Sequence, residues 1–425
     1  MNQRMQRERI TGKADGLLVI MYVALCLLGW LHVWSAAESQ VRPSPFDPGY
    51  EPGKQLIWMG ICTGVALVLM LLDTKVFPAF RSFAYAASLG LLVLVLIIGQ
   101  EVGGNKSWIV LGSSIKIQPS EFAKYATALM LAGFMATQQF NPRINKHWLF
   151  VFAIILIPAL LVLLEKDTGS TLVYAAFVLA LFRFGLNRAL LFLGLLVAAL
   201  FLASLFITPW YLVLGLVTVA ALVWFFVFRK NKRSLWPILL LTIALSGFTL
   251  AGRWVFDHVL LPHQQTRIKV LFNPDLDPRG SGWNVNNSKM ALGSGGLAGK
   301  GFLKGSLTQL KFVPKQHTDF IFSAIGEQWG FLGTSFVILL YLGLLYRLVW
   351  KAEAQRSEFA KVFGYLVACI LFFHFFMNVG TTIGLAPAVG VPLPFVSYGG
   401  SSLLGFTLLL FTFIKLDAHN KEVLR

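Results

Sequence analysis

Residues 264–320 read QQTRIKVLFNPDLDPRGSGWNVNNSKMALGSGGLAGKGFLKGSLTQLKFVPKQHTDF, the one long polar stretch in a chain whose remainder is a succession of apolar runs. A polar segment of this length between hydrophobic ones is functional or disordered. This one carries prolines, aromatics and glycines at positions that suit ordered turns, from Asn273-Pro274 through Gly293-Ser294-Gly295-Gly296 and Gly299-Lys300-Gly301 to His317-Thr318-Asp319-Phe320. Its apolar flanks decide the fold. They are continuous rather than alternating, which predicts membrane helices and excludes a barrel.

Composition agrees. The 425 residues are 56% hydrophobic and 13% charged with mean hydropathy +0.70, against about 25% charged for a soluble domain. The net charge of +17 would suggest nucleic acid in a soluble protein. Here the basic residues fall in short loops between spans, so no nucleic-acid partner is expected and membrane lipid is the surrounding medium. Cys26, Cys62 and Cys369 lie inside apolar segments without CxxC spacing and read as inert buried thiols. The basic start (Arg4, Arg7, Arg9, Lys13) before an apolar run to Trp34 resembles a signal peptide, but the run is too long, and a retained first helix is expected.

About twelve spans are expected, near 15–36, 54–73, 76–99, 119–137, 148–165, 168–186, 189–208, 210–228, 234–256, 320–346, 359–383 and 396–416. The basic loops, among them Arg143/Lys146, Arg183/Arg188, Arg229 to Arg233, Arg347/Lys351/Arg356 and Lys415/Lys421, share one side if the count is even. The positive-inside rule makes that side cytoplasmic, with both termini. The chain is then a single integral membrane domain over 1–425, with a cytoplasmic tail at 1–14 and a large extracytoplasmic loop at 262–319. Glu38 to Lys54, Glu101 to Pro119 and Leu385 to Phe395 face outward with that loop. The loop is itself basic, which is either tolerated in a long loop or marks an anionic ligand such as a pyrophosphate. There is no internal repeat, Walker A sequence or metal-ligand spacing.

Several residues could carry chemistry. Asp277, before Pro278, is either a turn aspartate or a general base, and Asp275 is its rival. The glycines around Lys300 could make plain turns or bring backbone N–H groups and an ammonium to phosphate. Trp283 could stack on a sugar or anchor at the interface. Glu121 and Lys124, entering the fourth span after Gln118-Pro119-Ser120, share a helix face. They either neutralise each other or line a polar cavity, and the cavity is the expectation. Glu165-Lys166-Asp167 is an interfacial cluster or a cleft wall. Gly384, Pro387, Gly390, Pro392, Pro394, Gly399 and Gly400 mark a broken connection that shapes a cavity.

Gln118-Pro119-Ser120-Glu121 with Lys124, Asn273-Pro274 with Asp277-Pro278, the Gly293 to Gly301 stretch, His317-Thr318-Asp319-Phe320, and Val391-Pro392-Leu393-Pro394-Phe395 leading to Ser397-Tyr398-Gly399-Gly400-Ser401-Ser402 together resemble the SEDS family (shape, elongation, division and sporulation), over nearly the whole chain. The resemblance implies a peptidoglycan glycosyltransferase that polymerises lipid II beside a class B penicillin-binding protein. It places the loop aspartate at Asp277 and the family's Glu, Lys and Asp at Glu121, Lys124 and Asp167. Arg267, Lys300, His317 and Asp319 are further substrate-binding candidates. Gly295, Gly296, Pro392, Pro394, Gly399 and Gly400 are expected to be structural. A divalent cation, Mg or Mn, could assist, although no metal ligands are assigned.

This chain departs from the family pattern at Ser107, Glu165-Lys166, Asn287 and Lys315. It also has an apparent extra helix pair near 209–254. Elongation duty is expected, with a division-specific paralogue as the alternative. A lipid II flippase is the rival class, and a mere scaffold for the transpeptidase is a third.

Overall fold

A computed structural model of the chain describes residues 14–37, 44–102, 105–111, 115–137, 140–228, 235–258, 262–270, 272, 276–277, 280–310, 312–314 and 316–422. The basic tail before residue 14, the Arg229 to Arg233 run, Asp275 and Lys315 lie outside them. The chain divides into two compact units, Met1–Phe184 with Val270–Arg425, and Gly185–Lys269.

In the first unit the helices are α1 (Gly16–Ala36), α2 (Glu51–Leu71), α3 (Val76–Ile98), α4 (Pro119–Met135), α5 (Asn145–Leu164), α6 (Thr168–Val173) and α7 (Ala175–Leu181). In the second they are α8 (Arg188–Phe206), α9 (Pro209–Val223), α10 (Leu235–His258) and α11 (Pro262–Lys269). The first unit resumes with α12 (Ser281–Ser294), α13 (Ser306–Gln309), α14 (Ile321–Glu353), α15 (Glu358–Ile383) and α16 (Gly400–Glu422). Among the described residues ten helices are long and apolar enough to cross a membrane. The chain is a multi-pass helical membrane protein. Every apolar run expected to span coincides with helix, although α4 has 17 residues and the 168–186 segment is broken into α6, α7 and a 3-10 turn.

Short α4 lies at the centre of the first unit, packing on α3, α15 and α16, and most of its side chains are buried. Pro119 at its first turn costs no hydrogen bond, because the first N–H groups of a helix have no internal partner. α15 also packs on α14 and α7, α1 on α14, α2 on α16, and α12 on α14 and α15.

Two of the connections have regular structure of their own. The connection before α4 is an antiparallel sheet of β1 (Gln100–Val102), β2 (Asn105–Leu111) and β3 (Ile115–Ile117), with Gln100 opposite Trp108 and Val110 opposite Lys116. β-Branched residues between the glycine and serine turns could have signalled these strands. The 262–319 segment between spans holds three helices, α11, α12 and α13.

In the second unit α10 packs on α8 and α9, and α9 has no buried residue. The 209–254 segment, where the extra pair is expected, holds α9 and most of α10. Arg253 on α10 donates from Nη1 to Ser204 O (3.0 Å) and Leu205 O (2.9 Å), satisfying carbonyls at the end of α8, and from Nε to Asp257 (2.8 Å).

Candidate active site

The connection from Gly384 to Gly399 organises the site. Its backbone is irregular beside buried helices, so its polar groups need partners. One face of α15 supplies them at helical spacing. His374 Nδ1 donates to Pro392 O (3.1 Å), Asn378 Nδ2 to Val391 O (2.9 Å), and Thr381 Oγ1 to Pro387 O (3.0 Å). The Tyr341 hydroxyl on α14 donates to Pro394 O. Proline offers no N–H, so at Pro387, Pro392 and Pro394 only the carbonyl needs a partner. Gly400 is required by close approach, because a Cβ there would lie 2.0 Å from the Trp58 indole.

This connection gathers other candidate residues. Asn378 Nδ2 also donates to Asp319 O (2.9 Å), and Asp319 Oδ2 lies 3.4 Å from where a Cβ on Gly390 would be. Ser397 Oγ donates to Thr318 O (2.5 Å), Tyr398 N to His317 O (2.9 Å), and the His317 and Tyr398 rings meet edge to face at 5.6 Å. On another side, Gly169 in α6 sits against Val389 O, where a Cβ would be 2.3 Å away. Asp167 caps α6 by accepting from Ser170 N (3.0 Å) and also accepts from Gln118 Nε2 (2.7 Å). Asp167, His317 and Asp319 are thus tied to one segment.

Below them, Lys124 Nζ donates to Glu121 Oε1 (2.8 Å) and His374 Nε2 (3.1 Å) and lies 5.7 Å from the Phe406 ring centroid. With His374 Nε2 accepting, its proton is on Nδ1, matching the bond to Pro392 O. Lys124 and Glu121 are 1% and 3% exposed, which corrects the expectation of an open polar cavity around them. A charged pair in apolar surroundings closes on itself because water is absent. Sequence reading missed His374, whose only signal was an ionisable residue within an apolar helix.

The glycine-rich stretch has a structural partner. α14 breaks at Gly330 (φ 63°, ψ −157°), which frees backbone groups of the helix. Residues 296–301 satisfy them: Lys300 N donates to Glu327 O (3.0 Å) and Gly301 N to Gln328 O (2.9 Å), while Phe331 N reaches Gly296 O (2.8 Å) and Leu332 N reaches Leu297 O (3.1 Å). Gly295 and Gly299 permit the approach, since Cβ atoms there would lie 1.9 and 2.1 Å from the carbonyls of Gly326 and Gln328. The Lys300 ammonium binds Glu327 Oε1 (2.8 Å) and Ser306 Oγ (3.0 Å). The stretch splices a broken helix, and its Lys300 and Gly301 amides are engaged in that splice.

Asp277 is half-buried just before α12. Its carbonyl accepts from Trp283 N (3.1 Å), and its carboxylate lies over Gly280, where a Cβ would be 2.3 Å from Oδ2. Any side chain at 280 would displace the carboxylate. Trp283 is 41% exposed, and its ring is accessible to a ligand. Farther along α12, Lys289 lies over the left-handed Gly384 that ends α15 (φ 77°). It borders a cavity of about 360 Å³ with Gly293, Gly326, Gly330 and Phe331. Arg267 is on α11 in the second unit.

The profile of the cell cycle protein family of FtsW, RodA and SpoVE matches residues 16–214 and 211–422. The peptidoglycan glycosyltransferase MrdB of Escherichia coli K12 is 31% identical over 92% of this chain and 90% of its own. The peptidoglycan glycosyltransferase RodA of Treponema pallidum is 31% identical over 98% of this chain and 100% of its own. A solved structure described as "Structural coordination of polymerization and crosslinking by a peptidoglycan synthase complex" has TM-score 0.68 at 25% identity, covering 96% of this chain and 98% of that one. The Thermus thermophilus rod shape determining protein RodA has TM-score 0.60 at 25% identity, covering 96% of this chain and 97% of its own.

Proposed function

This chain belongs to the FtsW, RodA and SpoVE family of cell cycle proteins, and we infer that it is a peptidoglycan glycosyltransferase that polymerises lipid II during cell-wall elongation. Asp277 is the general base. It removes the proton from the sugar 4-hydroxyl of one lipid-linked disaccharide. That oxygen attacks the anomeric carbon of the other, the bond to pyrophosphate breaks, and undecaprenyl pyrophosphate leaves with inversion. The observation that supports this role is the half-buried Asp277 carboxylate, seated on Gly280 at the head of α12 with the accessible Trp283 in the next turn. A positioned base contributes about 10²–10⁴-fold.

Charge on the leaving pyrophosphate needs cations. Lys300 is held by Glu327, which leaves the exposed Lys289, in the same unit as Asp277, as the proposed partner. Among the described residues no group of three or more His, Cys, Asp or Glu could hold a metal, so a cage made wholly of protein donors does not fit. A magnesium or manganese ion carried by the pyrophosphate would need only one or two carboxylates, and no step here depends on it. The class B penicillin-binding protein is the proposed partner, and the end carrying α12 is proposed to face outward, with both termini cytoplasmic.

The test is glycan polymerisation from purified lipid II in detergent, with wild type, Asp277→Asn and Asp277→Ala each beside the transpeptidase. Polymer from wild type alone is expected. Equal polymer from all three removes Asp277 from the role and makes Asp275 the next candidate. None from any well-folded complex makes the flippase the leading account.

A further inference from the structure

Glu165 follows the last residue of α5 and has no exposed surface. Neither of its carboxyl oxygens has a hydrogen-bond partner. A buried carboxylate without a partner is costly, and such a group takes up a proton instead. The turn that buries it is strained and held at both ends. Lys166 adopts φ 63°, unusual for a side-chain-bearing residue, Lys106 N on β2 donates to Glu165 O (3.0 Å), and Asp167 caps α6.

Among the described residues the surroundings offer no compensating cation. From β2, the Lys106 ammonium turns away to Leu96 O (2.8 Å) and Ile97 O (3.3 Å), and the buried Ser107 hydroxyl is unpartnered. From α4 come Gln118, bound to Asp167, and Glu121, whose charge is paired with Lys124. The N-cap of α6 presents the Asp167 carboxyl, and Tyr174, between α6 and α7, a buried hydroxyl without a hydrogen-bond partner. Tyr85 on α3 donates to Ile154 O (3.0 Å), and Lys166 is exposed.

We propose that Glu165 is a neutral carboxylic acid in the active protein and a positioning residue for the proposed glycosyltransferase: its uncharged form lets the Asp167 carboxylate hold Gln118 and the head of α6 against the 384–399 connection. Ionisation would set two carboxylates side by side in a water-poor turn and loosen that arrangement. Burial, and then the Asp167 charge, push the Glu165 carboxyl up to about 8, so the transition falls on the alkaline side of neutrality. Because the folded value lies above the unfolded one, the protonated fold is fully favoured below the unfolded value, and stability is lost as pH rises toward the folded value.

The role rests on the glycosyltransferase reading, whereas the protonation state does not, and three measurements on the full chain separate them. Wild type should show a protonated carboxylic acid band in infrared difference spectra that disappears on raising the pH through about 8, and Glu165→Gln should lack it. The melting advantage of Glu165→Gln over wild type should be small near about pH 5 and grow toward about pH 8. Polymerisation by wild type should fall at alkaline pH, the variant exceeding it about tenfold one unit above the transition. No such band in wild type, or a melting difference independent of pH, overturns the neutral acid. A band with identical alkaline loss in both proteins overturns the positioning role. Failure of both to polymerise defeats the glycosyltransferase reading, and with it the role, while the first two measurements still judge the protonation.

Discussion

Lys300–Glu327 and Lys124–Glu121 close at the same 2.8 Å between buried glutamate and lysine, but their surroundings differ. Glu327 Oε1 also accepts from Leu307 N (2.9 Å), and Oε2 accepts from Thr308 N (2.8 Å) and Thr308 Oγ1 (2.6 Å). Every lone-pair direction is engaged, and the lysine reaches solvent at 30% exposure. Glu121 has its lysine alone, and its Oε2 is buried without a hydrogen-bond partner. A completed network rigidifies the fold, whereas an incomplete one is costly and marks a place worth explaining by function. The first pair fastens the glycine stretch to a broken helix. The second, beside His374 and below the 384–399 connection, leaves one carboxylate oxygen unfilled.

Breaking the completed pair should cost most. Glu327→Ala orphans the amides of Leu307 and Thr308 and should destabilise by about 4 kcal/mol, read as a lower thermal midpoint in detergent. Lys124→Met should cost about 3 kcal/mol by leaving Glu121 buried and unpaired. Adding Glu121→Gln should restore most of that stability without restoring polymerisation. Recovery of both would make the second pair as structural as the first. Asn378→Ala removes the donor shared by Asp319 O and Val391 O and should cost about 2 kcal/mol, with activity lost beyond the loss of folded protein. Gly296→Ala is the smallest. A Cβ there meets nothing within 4 Å, but φ is +55°, so only conformational strain of about 1 kcal/mol is expected, and activity per folded molecule should persist. A large activity loss would revive a ligand role for the glycine stretch.

The sequence made the pairing of Glu121 with Lys124 legible, because an i, i+3 spacing is local. It left His374 and Asn378 unread, since their partners, among them Lys124 and Asp319 O, are brought to them only by the tertiary fold. The partner of Lys300 went unread for a related reason. A glycine-rich run with a lysine has the same composition whether its amides face a phosphate or a severed helix, and the break at Gly330 is 30 residues away in the chain. Asp277 was singled out by resemblance, and its seat on Gly280 became visible only in three dimensions.

The apolar runs by themselves determined a helical membrane bundle, because hydrocarbon forces each span to satisfy its own backbone and so writes the span into local composition. Sequence order also determined the family, through short motifs spread along the chain. The tertiary structure decided which irregular segments repair one another, which ion pair is complete, and that Glu165 is buried without a cation. Those outcomes depend on what each polar group meets after water has left, and the partners are contributed by distant parts of the chain.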